Sequence, residues 1–179
     1  VRRPGTKFDQ IVVLEGPEGK GKSSAIEILA GTENFSDQTI LTHDDRGQQE
    51  AMEGVWLYEI ADLAGMSRAD VEKVKAFASR THDRARPAYA RSRVNRPRRC
   101  IMIATTNRDT YLKSDTGNRR FWPVRCGGVD LASLVRDRDQ LWAEAAAREA
   151  AGGSLVLPPS MWEEAAGLQE TRREVDGWR

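Results

Sequence analysis

Residues 16–23 read Gly-Pro-Glu-Gly-Lys-Gly-Lys-Ser, which matches the pattern GxxxxGK[ST]. This pattern is typical of a loop whose backbone N–H groups surround phosphate oxygens, helped by the positive end of the helix that follows. Lys22 is expected to reach the β- and γ-phosphates, and Ser23 to give its hydroxyl to Mg²⁺. The spacing therefore predicts a site for ATP with Mg²⁺. The residues predicted to bind this cofactor are Gly16, Pro17, Glu18, Gly19, Lys20, Gly21, Lys22, Ser23 and Ser24.

An acid at the end of a nearby strand is the second requirement of such a site, because the metal or the attacking water needs a carboxylate. One apolar run ends in Glu59, with Asp62 close behind it. We predict that Glu59 is the catalytic acid and a metal ligand. Asp44 and Asp45, after another predicted strand, are the rival pair, and an ordinary surface glutamate is the remaining alternative.

Further polar residues follow the apolar run 101–104. Asn107 is placed to bond the γ-phosphate or the attacking water, or simply to cap the end of the strand. Farther along, a tight turn presents Arg119 and Arg120 beside Trp122. Arginines so placed can complete a nucleotide site, their own or a neighbouring subunit's, or stack on the ring for stability. We predict one arginine in each role.

A basic block occupies residues 80–99, which contain eight arginines and a single acid, Asp83. It lacks a periodic apolar face, so we expect an extended loop or a hairpin. Cations that follow phosphates, with an aromatic ring that stacks on a base, suit a single-stranded nucleic acid. A solvated charged loop and the phosphate-clamping lid of a nucleotide kinase are the alternatives. The residues predicted to contact single-stranded DNA are Lys75, Arg80, Arg84, Arg86, Tyr89 and Arg91.

Strands alternate with helices along the chain, which predicts an α/β fold with a parallel sheet and its site at the carboxyl ends of the strands. Two tryptophans on helical faces, Trp142 and Trp162, are expected in the core. The predicted strands are 11–14, 39–42, 55–60, 100–104 and 121–124, the predicted helices are 23–30, 67–80, 131–151 and one from residue 160, and a turn is predicted at 115–118.

Composition limits the class of protein. The 179 residues carry a net charge of +1 and are 39% hydrophobic, and no apolar run approaches the roughly 20 residues that span a bilayer. The two cysteines, Cys100 and Cys126, lack CxxC spacing, which disfavours a disulfide framework or zinc site and favours the cytoplasm. We interpret 1–130 as an ATPase core and 131–179 as a helical extension packed on the same domain. An opening at Val1 suggests a piece of a longer protein.

Four stretches together resemble the virulence-associated E family of phage and genomic-island proteins, which is related to superfamily 3 helicases. They are GPEGKGKS, WLYEIADL, KAFASRTHDRARPAYARS and IATTNRDTYLKSDTGNRRFWPV. The resemblance implies a three-layer P-loop NTPase sandwich of the AAA+ type, acting as an ATP-driven DNA motor in a hexamer-like ring. It also implies Lys22 and Ser23 as Walker A, Glu59 as Walker B, Asn107 as sensor, and Arg119 or Arg120 as arginine finger.

Two other functions remain open at this stage. A P-loop kinase for a small molecule or nucleotide would use the basic block as its lid. A non-hydrolysing DNA-binding loader would bind ATP without turnover.

Overall fold

The computed structural model describes residues 2–114 and 116–174. Its strands are β1 (Ile11–Glu15), β2 (Phe35–Ser36), β3 (Leu57–Ile60), β4 (His82–Ala85), β5 (Val94–Pro97), β6 (Ile101–Thr106) and β7 (Phe121–Arg125). Its α-helices are α1 (Lys22–Ala30), α2 (Asp45–Ala51), α3 (Arg68–Ala78), α4 (Leu131–Ala150) and α5 (Trp162–Glu170). None of these helices is long and apolar enough to cross a membrane.

Five strands form one sheet in the order β2-β3-β6-β1-β7, and every neighbouring pair is parallel. The remaining two strands, β4 and β5, form a separate antiparallel hairpin. Because parallel strands end at the same edge of a sheet, the segments that follow β3, β6 and β1 are neighbours. The predicted α/β fold with a parallel central sheet is confirmed.

Alternate side chains of the strands enter two different apolar layers, as expected for strands buried on both faces. Ile11 and Val13 belong to the layer that contains the apolar side chains of α3. Leu57 and Ile103 belong to the layer formed with α1. Glu59 lies two residues after Leu57 on the same strand, so the alternation directs its carboxylate toward α1.

Buried contacts fix the base of the β4–β5 hairpin. Arg98 makes an ion pair with Asp83, both side chains less than a tenth exposed, and its guanidinium carbon lies 4.1 Å from the centroid of the Phe77 ring. The side-chain amide of Gln49 donates to the carbonyl of Asp83 at 2.7 Å. Tyr89, between the two strands, is fully exposed. The basic block is therefore a hairpin, one of the two predicted forms, with a fixed base and a projecting tip.

The chain after residue 130 packs against the sheet domain in two places. The indole N–H of Trp142 donates to the carbonyl of Leu29 at 2.8 Å, which docks α4 on α1. Farther along, the side chain of Gln169 donates to the carbonyl of Phe121 at 3.0 Å. Arg173 forms a parallel bridge with Leu112. The last described residues thus lie against β7 and the segment that follows β6.

The strand predicted at 39–42 is wrong. Residues 39 and 40 have no regular structure, residues 41 and 42 are in a turn, and the second strand is the two-residue β2. A short helix, α2, comes next. Asp44 caps its N-terminus by accepting a hydrogen bond from the amide of Gly47 at 2.7 Å. With one buried side chain, Gln49, this helix has no apolar face that the sequence could reveal.

The two tryptophans differ from each other. Trp142 is half-buried, so it meets its predicted place in the core only in part, whereas Trp162 is 63% exposed, so its predicted place in the core is wrong. The predicted turn at 115–118 includes Asp115, which lies outside the described residues. Gly117 has the positive φ of 76° that a turn residue needs, and a 3-10 turn, Asn118–Arg120, follows it.

Candidate functional site

The glycine-rich loop, residues 16–23, connects β1 to α1 at the carboxyl edge of the sheet. A Cβ on Gly16 would lie 2.3 Å from the carbonyl oxygen of Cys126, so only glycine fits there. Gly21 precedes α1 with φ 82° and ψ 17°, and no side chain caps the helix. The first-turn amides of α1 are therefore available to an anion at the helix N-terminus.

Lys22 is 8% exposed and turns back over the loop. Its ammonium donates to the carbonyls of Gly16 at 2.7 Å and Pro17 at 2.8 Å. The loop therefore holds a positive charge at its centre, next to the uncapped end of α1.

Glu59 meets α1 as the strand alternation requires. Its Oε1 accepts a hydrogen bond from Ser23 Oγ at 2.7 Å and another from Thr105 Oγ1 at 2.8 Å. The side chain is 2% exposed. Ser23 and Glu59 thus provide a hydroxyl and a carboxylate side by side, which are hard oxygen ligands of the kind Mg²⁺ prefers. Asp44, the rival acid, is engaged in capping α2 instead.

A cavity of about 450 Å³ opens above the glycine-rich loop. Asn107, the residue directly after β6, lines it as well. Asp62 also lines it, beyond the end of β3. The loop residues that line it are Glu18, Gly19, Lys20, Gly21, Lys22, Ser23 and Ser24. The structure therefore brings Lys22, Ser23, Glu59 and Asn107 to one place.

Arg119 and Arg120 lie at the other end of the sheet. The next residue, Phe121, pairs in register with Ile11, five residues before the loop begins. At about 3.3 Å per residue this places the two arginines roughly 17 Å from Gly16 along the strand direction. Arg120 Nε is 3.3 Å from Asp9 Oδ2, whereas Arg119 is exposed and its guanidinium has no partner in the described part of the chain. Neither arginine can reach the loop of its own chain.

The predicted DNA contact of Lys75 does not agree with the structure. Its ammonium is 4% exposed and donates to the carbonyl of Thr116 at 2.6 Å and to Glu72 Oε1 at 2.9 Å. Hydrogen bonds from Ser114 and from Lys75 to the Glu72 carboxylate hold the pKa of Glu72 below its ordinary value. Lys75 faces inward because the turn before β7 covers it, so it cannot follow a nucleic acid on the surface.

The other predicted nucleic-acid residues are exposed. Arg84, Arg86 and Arg91 lie on or between the strands of the hairpin, and Tyr89 projects at its tip with φ 62°. Arg80 is partly engaged, because its guanidinium donates to Gln48 Oε1 at 2.9 Å and stacks on Phe77. A polar cavity of about 290 Å³ separates the hairpin tip from residues 44–46.

A buried network next to the loop is absent from the sequence-based expectations. Glu15, directly before Gly16, is 3% exposed and pairs through both oxygens with Arg172, while Tyr111 donates from its hydroxyl at 2.6 Å. Burial by itself raises the pKa of Glu15. The hydrogen bonds from Arg172 and Tyr111, together with the positive charge of Arg172, lower it by more, so the pKa lies below its ordinary value of 4.5. The same burial and the Glu15 contact raise the pKa of Tyr111. In the sequence, the only sign of this network is an acid directly before the first glycine of the loop, because Arg172, its partner, lies 157 residues away.

Together, the parallel sheet, the glycine-rich loop and the acid beside α1 define a protein of the α/β class with a polar site at the carboxyl edge of its sheet. The chain belongs to the family of virulence-associated protein E-like domains, whose family model matches residues 1–174. This confirms the family resemblance of the four sequence stretches.

Solved structures with the same fold include the C-terminal region of NrS-1. The apo structure of its residues 305–718 has a TM-score of 0.62 and 13% identity, and the match covers 94% of this chain and 44% of that one. The A form of the same region has a TM-score of 0.58 and 13% identity, covering 96% and 44%. The present chain therefore spans less than half of these structures. No curated protein matches the sequence.

Proposed function

We propose that this chain is an ATPase with a P-loop NTPase sandwich fold, which binds ATP with Mg²⁺ in the cavity above the glycine-rich loop. The observation that carries the proposal is the hydrogen bond from Ser23 Oγ to Glu59 Oε1 at 2.7 Å beside the ammonium of Lys22. The hydroxyl and the carboxylate are suitable ligands for Mg²⁺, and the ammonium at the uncapped start of a helix is suited to bind phosphate oxygens.

Each side chain then has a definite task. Phosphate oxygens replace the carbonyls of Gly16 and Pro17 as acceptors for Lys22, which neutralises charge on the leaving group. Ser23 and Glu59 would hold Mg²⁺, which would supply positive charge to balance the charge that develops during hydrolysis. Asn107, which lines the same cavity, would bond the γ-phosphate or the attacking water.

Single-stranded DNA is the proposed second ligand, and the hairpin is its proposed site. Exposed guanidiniums follow phosphates and an exposed ring stacks on a base, and both occur at this tip. With the family membership, this supports a helicase-like motor in the replication of a phage or another mobile element.

A neighbouring subunit completes the proposed site. The arginine turn lies at the far end of the sheet from its own loop, so Arg119 can act as a finger only on another copy of the chain. A homo-oligomeric ring, hexamer-like in form, satisfies this geometry because each copy offers its turn to the next. Arg120, paired with Asp9, serves structure instead.

The kinase alternative is disfavoured by the position of the hairpin. A lid must close over the phosphates, but none of the described residues 80–99 lines the cavity above the glycine-rich loop. The loader alternative differs only in lacking turnover, so measuring hydrolysis distinguishes it.

The test is the rate of ATP hydrolysis by the purified protein over a series of protein concentrations, with and without single-stranded DNA. We expect the rate per subunit to rise with both, and Lys22→Ala to abolish it. Lys73→Ala is the matched control, since Lys73 is an exposed lysine paired with Asp70. ADP formation that requires an added nucleoside or nucleotide acceptor would select the kinase, and ATP binding without turnover the loader. A rate per subunit independent of concentration and DNA would exclude the ring and the motor.

A further inference from the structure

Asp62 has an unusual backbone conformation at the mouth of the cavity. It is left-handed, with φ 46° and ψ 59°, two residues after the end of β3. Among the described non-glycine residues, only Asp62 and Tyr89 have a positive φ. A left-handed backbone costs energy for a residue other than glycine, although aspartate and asparagine tolerate it best. It persists only where the surrounding structure imposes it, and it is frequent at functional sites.

The surroundings fix this turn firmly. The next two residues, Leu63 and Ala64, are 0% and 1% exposed and anchor it in the core. The amide of Gly65 donates to the carbonyl of Asp62 at 2.9 Å. A Cβ on Gly65 would lie 2.3 Å from Asp62 Oδ2, so the glycine leaves the space that the carboxylate occupies. Local sequence therefore dictates where the Asp62 side chain lies.

Asp62 differs from Glu59 in what its carboxylate is free to do. Glu59 is buried, and its Oε1 already accepts two hydrogen bonds, from Ser23 and Thr105. The carboxylate of Asp62 is exposed in the same cavity and has no hydrogen bond or ion pair with any residue of 2–114 or 116–174. The site thus contains one carboxylate that already accepts hydrogen bonds, that of Glu59, and one without a partner among the described residues, that of Asp62.

We propose that Asp62 is the carboxylate that orients and deprotonates the attacking water, while Glu59 serves the metal. The water oxygen forms a bond to the γ-phosphorus, and the bond from that phosphorus to the β,γ-bridging oxygen breaks. The bridging oxygen leaves with the electron pair as part of ADP, and the water proton passes to Asp62 and then to solvent. This assignment rests on the proposed ATPase function.

Asp62→Asn is the decisive variant, because asparagine keeps the left-handed turn and the side-chain shape but removes the base. Asp62→Gly keeps the turn and removes the side chain. We expect both to lower kcat by at least about 10²-fold, the usual contribution of a general base, with affinity for a fluorescent ATP analogue within about twofold of wild type. Glu59→Gln should instead weaken Mg²⁺-dependent nucleotide binding. Asp137→Asn, which changes an exposed acid on α4, is the matched control and should do neither.

The outcomes separate the two proposals. If wild type hydrolyses ATP, Lys22→Ala does not, and Asp62→Asn keeps more than about a third of the wild-type kcat, the role of Asp62 is wrong and the ATPase stands. Loss of nucleotide affinity in Asp62→Asn, with unchanged thermal unfolding, would also overturn it, because the residue would then act in binding. Absence of turnover in wild type would overturn both.

Discussion

Lys75 donates a hydrogen bond from its buried ammonium to the carbonyl of Thr116 at 2.6 Å. This bond joins α3, which leads into the hairpin, to the turn that presents Arg119. The ammonium also lies 6.0 Å from the centroid of the Phe121 ring at the start of β7. Lys75 is therefore a structural link between the proposed DNA-binding element and the proposed finger, at a position where sequence alone suggested a surface cation.

Replacing this link should loosen the arginine turn. Lys75→Met keeps the aliphatic stem but removes the ammonium from the carbonyl of Thr116 and the carboxylate of Glu72, and leaves them to share the Ser114 hydroxyl as a donor. We expect a loss of about 1–3 kcal/mol in the free energy of unfolding, measured with urea, together with a lower ATPase rate. Lys73→Met, on the exposed side of the same helix, should change neither. Equal effects of the two variants would contradict the structural role of Lys75.

Separating the two arginines tests the shared site. We expect Arg119→Ala to keep ATP affinity and to lose hydrolysis by on the order of 10³-fold or more, because a finger acts on the transition state. Arg120→Ala should mainly lower stability, since it removes the partner of Asp9. Thermal unfolding and kcat, measured on both variants, distinguish these effects.

Mixing variants provides a sharper version of this test. Lys22→Ala retains an intact arginine turn and Arg119→Ala retains an intact loop, so mixed oligomers contain some complete sites. We expect the mixture to recover activity that neither variant has alone. If mixing restores nothing although the two variants co-assemble, as shown by pull-down of a tagged copy, then Arg119 does not act in the neighbouring subunit.

The hairpin tip should contribute to DNA affinity without changing the fold. Tyr89→Ala removes a fully exposed ring, so we expect unchanged stability and a loss of about 1–3 kcal/mol in binding to single-stranded DNA. Arg86→Ala should also weaken binding and should reduce its salt dependence, because fewer phosphates are neutralised. Fluorescence anisotropy with a labelled oligonucleotide measures both. Arg136→Ala, an exposed arginine on α4, is the control.

Acid should weaken the contact between Glu15 and Arg172. The pKa of Glu15 is lower in the folded protein than in the unfolded chain, so its contribution to stability is complete above 4.5. That contribution is lost as the pH falls through the folded-state value. Urea unfolding from about pH 7 to about pH 3 should show this loss, and Glu15→Gln should remove that part of the pH dependence.

The same pair can be broken at neutral pH. Because Arg172 keeps some contact with solvent, we expect Arg172→Met to cost roughly 2–3 kcal/mol, less than a fully buried pair. Arg173→Met, which removes an exposed pair with Glu170, should cost far less. Similar costs for the two variants would show that the pair near the loop adds little stability.

Local patterns predicted the centre of this molecule well. Three apolar runs precede the polar residues of the site: one before Gly16, one before Glu59 and one before Asn107. Each run forms a parallel strand of the sheet, and each of these residues lies at the carboxyl edge. The family was also recognisable, because its residues are close together in sequence. What these patterns share is that the residues which decide the structure are neighbours along the chain.

Long-range contacts account for what the sequence did not show. The burial of Lys75 depends on a turn about forty residues later, and the pairing of Glu15 depends on Arg172, so neither leaves a local trace. The two-residue strand β2 is too short to produce a period, and its place in the sheet comes from pairing with β3. The distance of the arginine turn from the loop follows from strand register, which sequence does not give directly.

The contact between Glu15 and Arg172 also bears on how the molecule is made. β1 is synthesised before the partner of the charge at its end, because Arg172 follows Glu15 by 157 residues. Contacts of such high sequence separation form late and slow the final folding step. We therefore expect the end of β1, which precedes the glycine-rich loop, to reach its native contacts only after Arg172 has been synthesised and can fold back onto it.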